Sequence, residues 1–173
     1  MIAGAELRKR LGVLAGSRVV ILGVGNVLKG DDGVGPLVCE ALAGRVTARV
    51  LDAGTVPENY LRPIMEAAPQ FLLVVDAVDF GGVPGAIGLF TPEKINDAAF
   101  STHALSLRLF IDVLRTDIDV EVLVLGVQPV CTQLGRPVSA PVQESIAEVT
   151  EALAPIFPAA DRTMPSSPGT FAR

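Results

Sequence analysis

Short runs of branched apolar residues recur along the chain, and segments with helical spacing separate most of them. Three strong runs cover residues 18–23, 71–75 and 120–126, and two weaker runs cover residues 45–52 and 86–90. Such runs are typical of strands that are buried on both faces, as in a parallel sheet covered by helices. Trp is absent and Tyr occurs once, so the core has to be built mainly from aliphatic side chains.

Five segments carry apolar residues at helical spacing between or beside these runs: 5–14, 34–43, 57–68, 103–114 and 139–154. The alternation predicts a three-layer α/β/α sandwich around a mostly parallel, partly mixed five-stranded sheet. Residues 86–90 follow the third strand too closely for a crossover helix, so we expect that run to be antiparallel or at an edge. In the fourth helix we expect the inward side chains to be Leu105, Leu109, Val113 and Leu114.

A chain of 173 residues fits one domain, which we place at residues 1–157. Residues 158–173 are rich in Pro, Ser and small residues and predict a flexible tail. The net charge of −5 gives no electrostatic reason to bind nucleic acid. No apolar run reaches the ~18–20 residues that are needed to cross a bilayer. The N-terminal residues lack the charged-then-apolar order of a signal peptide. We expect a cytoplasmic monomer without membrane insertion.

Polar side chains follow four of the predicted strands. Asp32 lies in the loop after the first strand, Asp52 and Asp76 end the second and third, and Gln128 follows the last. Loops at the carboxyl ends of parallel strands converge, and binding sites of such sheets lie there. The sequence therefore predicts one polar site at this end of the sheet, which we call the carboxyl edge.

The glycine-rich loop after the first strand also suggests a Rossmann-like dinucleotide-binding protein. That fingerprint is G-x-G-x-x-G, and here Leu28 stands at the third glycine position after Gly23 and Gly25. We expect the Leu28 side chain to obstruct the close helix–strand approach, and Asp31 and Asp32 to repel a pyrophosphate. Asp52 could still serve as the ribose-binding acid, so this alternative stays open on the pattern alone.

Five sequence blocks resemble, in order, the signature of the nickel–iron hydrogenase maturation endopeptidases. They are residues 23–35 (GVGNVLKGDDGVG), 51–59 (LDAGTVPEN), 75–85 (VDAVDFGGVPG), 101–103 (STH) and 126–129 (GVQP). The resemblance extends over about residues 18–153. The first two blocks are most similar to the branch that processes the large subunit of hydrogenase 3, the formate hydrogenlyase enzyme.

The resemblance implies an endopeptidase that removes the C-terminal extension of a nickel–iron hydrogenase large-subunit precursor after nickel insertion. It implies that Asp32, Asp76 and His103 are the catalytic residues and the metal ligands, and that the nickel is supplied by the nickel-loaded precursor. The same site is expected to accept an adventitious zinc or cadmium ion. A non-catalytic nickel-dependent binding or chaperone module is the other alternative.

The residue types suit a site that senses another protein's metal. Two carboxylates and one imidazole give three ligands and leave positions open for groups of the substrate. His103 is the only His in the chain, so a zinc site built from several histidines is excluded. Taken singly, Asp32 can also be a helix-start acid, Asp76 a strand-end turn residue and His103 a capping residue. Either the nickel polarises the scissile carbonyl or an Asp activates water.

Other residues are weaker candidates. Asp52 and Asp79 are expected to orient metal ligands or the substrate backbone. Four glycines are expected to keep the carboxyl edge open to an extended peptide: Gly23, Gly25, Gly54 and Gly81. Cys39 falls on an apolar helix face and is expected in the core. Cys131 as a nucleophile would need His103 as its base, which we consider the weakest alternative.

Overall fold

A computed structural model of the protein describes residues 4–94 and 104–159. Five strands form one sheet in the order β2-β1-β3-β5-β4. Their bounds are β1 Val19–Val24, β2 Arg49–Gly54, β3 Phe71–Ala77, β4 Ile87–Phe90 and β5 Glu121–Val127. The first four strands of that order are parallel, and β4 pairs antiparallel with β5 at the edge. The expected mixed sheet, with residues 86–90 at its antiparallel edge, is confirmed.

Helices cover both faces of this sheet. The described helices are α1 Gly4–Leu11, α2 Val34–Leu42, α3 Leu61–Ala67, α4 Ala104–Asp117 and α5 Ala140–Leu153. Short 3-10 turns occupy Gly12–Leu14, Gly30–Gly33 and Pro57–Tyr60. One apolar core joins α1, α2 and α5 to one face of the sheet, and a second joins α3 and α4 to the other face. This is the predicted three-layer α/β/α sandwich.

The strand sequences account for the two cores. Successive side chains of a strand point to opposite faces, so Val19 and Ile21 contribute to one core while Val20 and Leu22 contribute to the other. All six residues of β1 are buried. A strand that is buried on both faces has to be apolar throughout, which explains the continuous apolar runs in the central strands.

The second strand starts later than predicted. Residues 45–48 were expected to open the strand, but β2 begins at Arg49. The N–H group of Thr47 donates to the carbonyl of Phe157 at 2.9 Å, and Val46 pairs with Pro158. Residues 46 and 47 therefore form their backbone contacts with the C-terminal segment at Phe157 and Pro158, and β2 pairs with β1 only from Arg49 onward.

The expected inward face of the fourth helix is wrong in part. Leu109 is 66% exposed and Val113 is 39% exposed, whereas Leu114 is buried as predicted. Among residues 107–117, the buried stripe instead consists of Leu107, Phe110, Ile111 and Leu114, and Leu105 lies outside the side chains that the structure describes. These positions follow the i, i+3, i+4, i+7 spacing of one helix face, and Leu109 and Val113 lie outside it.

The predicted domain boundary and tail are not tested by the structure. The described chain continues through the paired residue Pro158 to position 159, and residues 160–173 lie outside it. Within the parts of the chain that the structure describes, no helix has the length and apolar character that crossing a membrane requires.

Candidate active site

Two buried carboxylates lie at the carboxyl edge of the sheet. Asp32 belongs to the 3-10 turn Gly30–Gly33, which follows β1 and leads into α2, and Asp76 is the penultimate residue of β3. Asp32 is 1% exposed and Asp76 is fully buried. Buried carboxylates are costly unless they are well bonded, so their presence at this edge indicates a function or a defined structural role.

The start of α2 brings Asp32 towards β3. A Cβ atom added at Gly35 would lie 2.3 Å from the carbonyl oxygen of Val24 and 2.4 Å from that of Val75. The backbone of α2 therefore rests directly on the carboxyl ends of β1 and β3, and no side chain fits between them. The turn that carries Asp32 packs against β3, the strand that carries Asp76.

Backbone amides help to orient both carboxylates. Asp32 Oδ2 accepts a hydrogen bond from the N–H group of Asn26 at 3.0 Å, and Asp76 Oδ1 accepts one from the N–H group of Ala77 at 2.8 Å. Each bond fixes the orientation of its carboxyl group at the carboxyl edge.

His103, the third predicted ligand, lies outside the described residues. The described part of the chain gives only the position of its neighbour. Helix α4 begins at Ala104, ends at Asp117 and leads into β5 at Glu121. Its C-terminus therefore lies near the amino ends of the strands. Its 14 residues rise about 21 Å, so its N-terminus lies towards the carboxyl edge.

The complete ligand set stays a prediction. No three His, Cys, Asp or Glu side chains form a metal-binding group among residues 4–94 and 104–159. His103 lies outside these residues, so the proposed trio stays untested. Asp32 and Asp76 are the two members that the structure places at one edge.

A third buried carboxylate, Asp31, joins two loops of this edge. Its Oδ2 accepts hydrogen bonds from Val130 N at 2.7 Å, Cys131 N at 3.1 Å and Ser139 Oγ at 2.9 Å, and its Oδ1 accepts one from Ser139 N at 2.7 Å. The Asp31 N–H group donates to the Cys131 carbonyl at 3.0 Å. Asp31 thus holds the loop after β5 against the loop that carries Asp32.

Comparison with known proteins identifies the family. A family model of hydrogenase maturation proteases (HycI) matches residues 36–156. The chain belongs to this family. The hydrogenase 3 maturation protease of Escherichia coli (strain K12) is 39% identical over 137 residues, which make up 78% of this chain and 87% of that protein.

Solved structures of the family share the fold. The [NiFe] hydrogenase maturation protease HycI from Thermococcus kodakarensis KOD1 is 34% identical, and the match covers 83% of this chain and 95% of that chain with a TM-score of 0.76. A crystal structure of the hydrogenase 3 maturation protease is 37% identical, covers 79% and 88%, and has a TM-score of 0.68. The protein is therefore a protease, a peptide-bond hydrolase, as its sequence predicted.

The role of Asp31 in this protease was missed at the sequence level. Its partners lie 99 to 108 residues further along the chain, and no local pattern connects them. The only signal in the sequence is a second Asp beside Asp32, and the pattern alone gives the two residues one shared role. The structure separates the two roles. Asp31 accepts hydrogen bonds from the distant loop, whereas Asp32 accepts one from Asn26 in its own loop.

We expect replacement of Asp31 by Asn to lower the free energy of unfolding by about 3 kcal/mol. Each hydrogen bond to a charged group contributes about 1.5–3 kcal/mol, and the Asn amide would place its own N–H groups against some of these donors. Urea unfolding measures the loss. Asp119→Asn is the matched control, because Asp119 is an exposed acid in the loop before β5. Equal losses for the two variants would contradict the role given to Asp31.

Gln128 and Asp79 order the loop after β3. Gln128 Oε1 accepts hydrogen bonds from the N–H groups of Phe80 and Gly82, both at 3.0 Å, and its Nε2 donates to Asp79 Oδ1 at 2.9 Å. The bond from Gln128, together with one from the Gly81 amide, lowers the pKa of Asp79. Among described residues, Asp79 therefore orients Gln128 and its own loop.

Asp52 is an exposed acid whose Oδ1 accepts a bond from the Gly54 amide at 2.9 Å. It borders a groove of about 590 Å³ that runs between α2 and β2, and it also borders a smaller cavity of about 250 Å³ beside Gly25 and Thr55. Asp52 thus borders open space beside the loops after β1 and β2.

Gly23, Gly25 and Leu28 act differently from the sequence expectation, whereas Gly54 and Gly81 border open space as expected. A Cβ atom at Gly25 would lie 1.8 Å from the Asp32 carbonyl oxygen, and one at Gly23 would lie 2.4 Å from that of Gly35. These two glycines permit close packing and do not keep the edge open. Leu28 is 64% exposed and obstructs nothing, because α2 begins at Val34 and the close helix–strand contact is made at Gly35.

Both cysteines of the protease are free thiols. Cys39 is buried in α2, and burial, with a smaller effect of the Asp52 charge, raises its pKa to about 12. Its Sγ lies 3.4 Å from the Leu51 carbonyl oxygen. A thiol with this pKa is neutral at physiological pH and is not a nucleophile. Cys39 is 4% exposed, which confirms its expected core position.

Proposed function

We propose that this protease removes the C-terminal extension of a nickel–iron hydrogenase large-subunit precursor, and that Asp32, Asp76 and His103 sense the inserted nickel. The observation that carries the proposal is the burial of two carboxylates, one from the turn after β1 and one from the end of β3, at one edge of the sheet. The relatives are hydrogenase maturation proteases by name, which supports a precursor of this kind as the substrate.

The charges favour a site that completes its ligand shell on the substrate. Two carboxylates attract a divalent cation, and one imidazole adds a ligand that suits nickel. Helix α4 runs towards the carboxyl edge at Ala104, the residue next to His103, which supports the third ligand position. With a single His in the chain, a tightly held metal of the protease's own is disfavoured. Nickel therefore enters as part of the substrate, and zinc or cadmium would bind adventitiously.

Hydrolysis at this site consumes one water molecule. The water oxygen adds to the scissile carbonyl carbon, the C–N bond breaks, and the new amine leaves with a proton. One role open to Asp32 or Asp76 is to accept the water proton, and the other is to hold the nickel that polarises the carbonyl. Both roles need an ionised carboxylate at the carboxyl edge, so both depend on the same two residues.

The test mixes purified protease with the cognate large-subunit precursor, with and without inserted nickel. We expect mass spectrometry to show that the nickel-loaded precursor loses its C-terminal extension while the nickel-free precursor stays intact. Equal cleavage of both forms would show that nickel is not sensed. Stable binding without cleavage of either form would support a non-catalytic binding or chaperone role on this scaffold.

A further inference from the structure

Exposed apolar side chains concentrate at the carboxyl edge. Among the residues that the structure describes, nine large hydrophobic side chains are exposed, and six of them lie in loops that follow β1, β2, β3 or β5. The six are Val27, Leu28, Val56, Val83, Val130 and Leu134. Single exposed aliphatic residues are common, but a concentration around one end of a sheet is typical of a protein-binding surface.

One backbone hydrogen bond joins two of these loops, and a bond to a side chain orders the first of them. The N–H group of Gly135 donates to the Leu28 carbonyl at 2.8 Å, and the N–H group of Leu28 donates to Asn26 Oδ1 at 2.9 Å. The neighbouring residue Leu134 is 72% exposed and Leu28 is 64% exposed. Both leucines therefore project from bonded backbone, next to the connection that Asp31 makes. A preformed apolar surface loses little conformational entropy when a partner binds.

Two basic residues flank these leucines on an acidic chain. Lys29 follows Leu28, and Arg136 follows Leu134 by two residues, whereas the whole chain carries a net charge of −5. A Cβ atom at Gly30 would lie 3.4 Å from the Arg136 Cβ, so Arg136 lies beside the loop that holds Lys29. Neither cation forms an ion pair with a described residue. Both cations are therefore available to a carboxylate of a partner, while the nearby Asp31 carboxylate is buried and bonded to the loop after β5.

We propose that Leu28, Lys29, Val130, Leu134 and Arg136, here called the Leu28 patch, dock the large-subunit precursor. The partner segment is one that exposes aliphatic side chains beside Asp or Glu carboxylates, because it has to match both the leucines and the two cations. The inference rests on the proposed function and adds a contact beyond Asp32, Asp76 and His103. It makes the patch a determinant of precursor affinity and leaves the cleavage step to those residues.

The apolar part of the patch is tested by the paired change Leu28→Asp and Leu134→Asp. We expect KM for the nickel-loaded precursor to rise about tenfold or more while kcat changes less than about twofold, because the lost contacts act on binding alone. Leu109→Asp is the matched control, since Leu109 is 66% exposed but lies on α4. The control should keep the KM of the unaltered protein.

The basic part is tested by Lys29→Glu with Arg136→Glu. We expect this variant to bind the precursor about tenfold more weakly. We also expect its association rate to rise with ionic strength where that of the unaltered protein falls, because salt then screens a repulsion and not an attraction. Arg49→Glu is the matched control, because Arg49 is exposed at the start of β2, the opposite end of the sheet. That control should keep the salt dependence.

The outcomes separate this inference from the proposed function. If the unaltered protein cleaves the precursor and the paired variants keep its KM, the Leu28 patch is not the docking surface, while the proposed function stands. If the unaltered protein does not cleave, calorimetric binding of the nickel-loaded precursor replaces KM as the measurement. Weaker binding by the paired variants would then support the patch although the function fails, and equal binding or no binding would overturn it.

Discussion

Replacing Asp76 by Asn is expected to reduce processing of the nickel-loaded precursor by at least about a thousandfold, because the change removes a carboxylate that serves either as a metal ligand or as a general base. Asn keeps the size of the side chain and an oxygen that can still accept the hydrogen bond from the Ala77 amide. The fold should therefore be retained, and the loss should fall on the reaction. Mass spectrometry of the precursor over time measures the rate.

Asp52→Asn is the matched control for Asp76→Asn. Asp52 also ends a parallel strand and accepts a hydrogen bond from an amide of its own loop, Gly54 N at 2.9 Å, but it is exposed. We expect the Asp52 variant to lose no more than about tenfold in processing rate, since Asp52 is expected to orient ligands or substrate and is not itself a predicted ligand. Comparable losses in the two variants would contradict the assignment of Asp76 to the reaction.

Two further substitutions separate the ligand roles. His103→Ala is expected to abolish processing with little effect on unfolding, because it removes the only imidazole of the chain. Asp32→Glu is expected to keep measurable cleavage, because the charge and the oxygen donors remain, although the position is only 1% exposed and must take an extra methylene group. Full activity of His103→Ala would exclude the three-residue site.

The placement of Asp32 and Asp76 could be predicted because it depends on a general property of parallel sheets. Apolar runs located the strands, and a loop that follows a parallel strand has to lie at the carboxyl edge whatever its detailed conformation. The edge position of β4 followed in the same way from the short connection after β3. These predictions use only the order and length of the strands and helices, which can be read from the positions of the apolar runs in the sequence.

The contacts of Asp31 could not be predicted, because they depend on the conformation of a loop about 100 residues away. The same limit explains the late start of β2, whose preceding residues bond to Phe157 and Pro158 at the other end of the chain. Leu28 was misplaced for a different reason. The fingerprint assumes a helix that starts soon after the second glycine, but here the helix begins at Val34.

The position of α2 on the strands leads to the largest expected effect on folding. Gly35 lies inside this helix and has an ordinary backbone conformation, so space alone decides what fits there. A Cβ atom would lie 2.3 to 2.5 Å from backbone atoms of Val24 and Val75. Backbone atoms of two central strands cannot rotate aside as the end of a flexible side chain can. Any substitution at Gly35 must therefore move α2 away from the sheet.

We expect Gly35→Ala to lower the free energy of unfolding by about 3 kcal/mol or more, because overpacking against fixed backbone costs more than a usual core enlargement. Gly12→Ala is the matched control. Gly12 also has helical backbone, but a Cβ there would meet no atom within 4 Å, so Ala should leave stability unchanged or raise it by up to about 1 kcal/mol. Urea unfolding of both variants measures the difference. Similar stability of the two would show that α2 does not rest on β1 and β3 as closely as described. A large loss at Gly35 alone would confirm that the turn carrying Asp32 is held against the strand carrying Asp76 by the absence of a single methyl group.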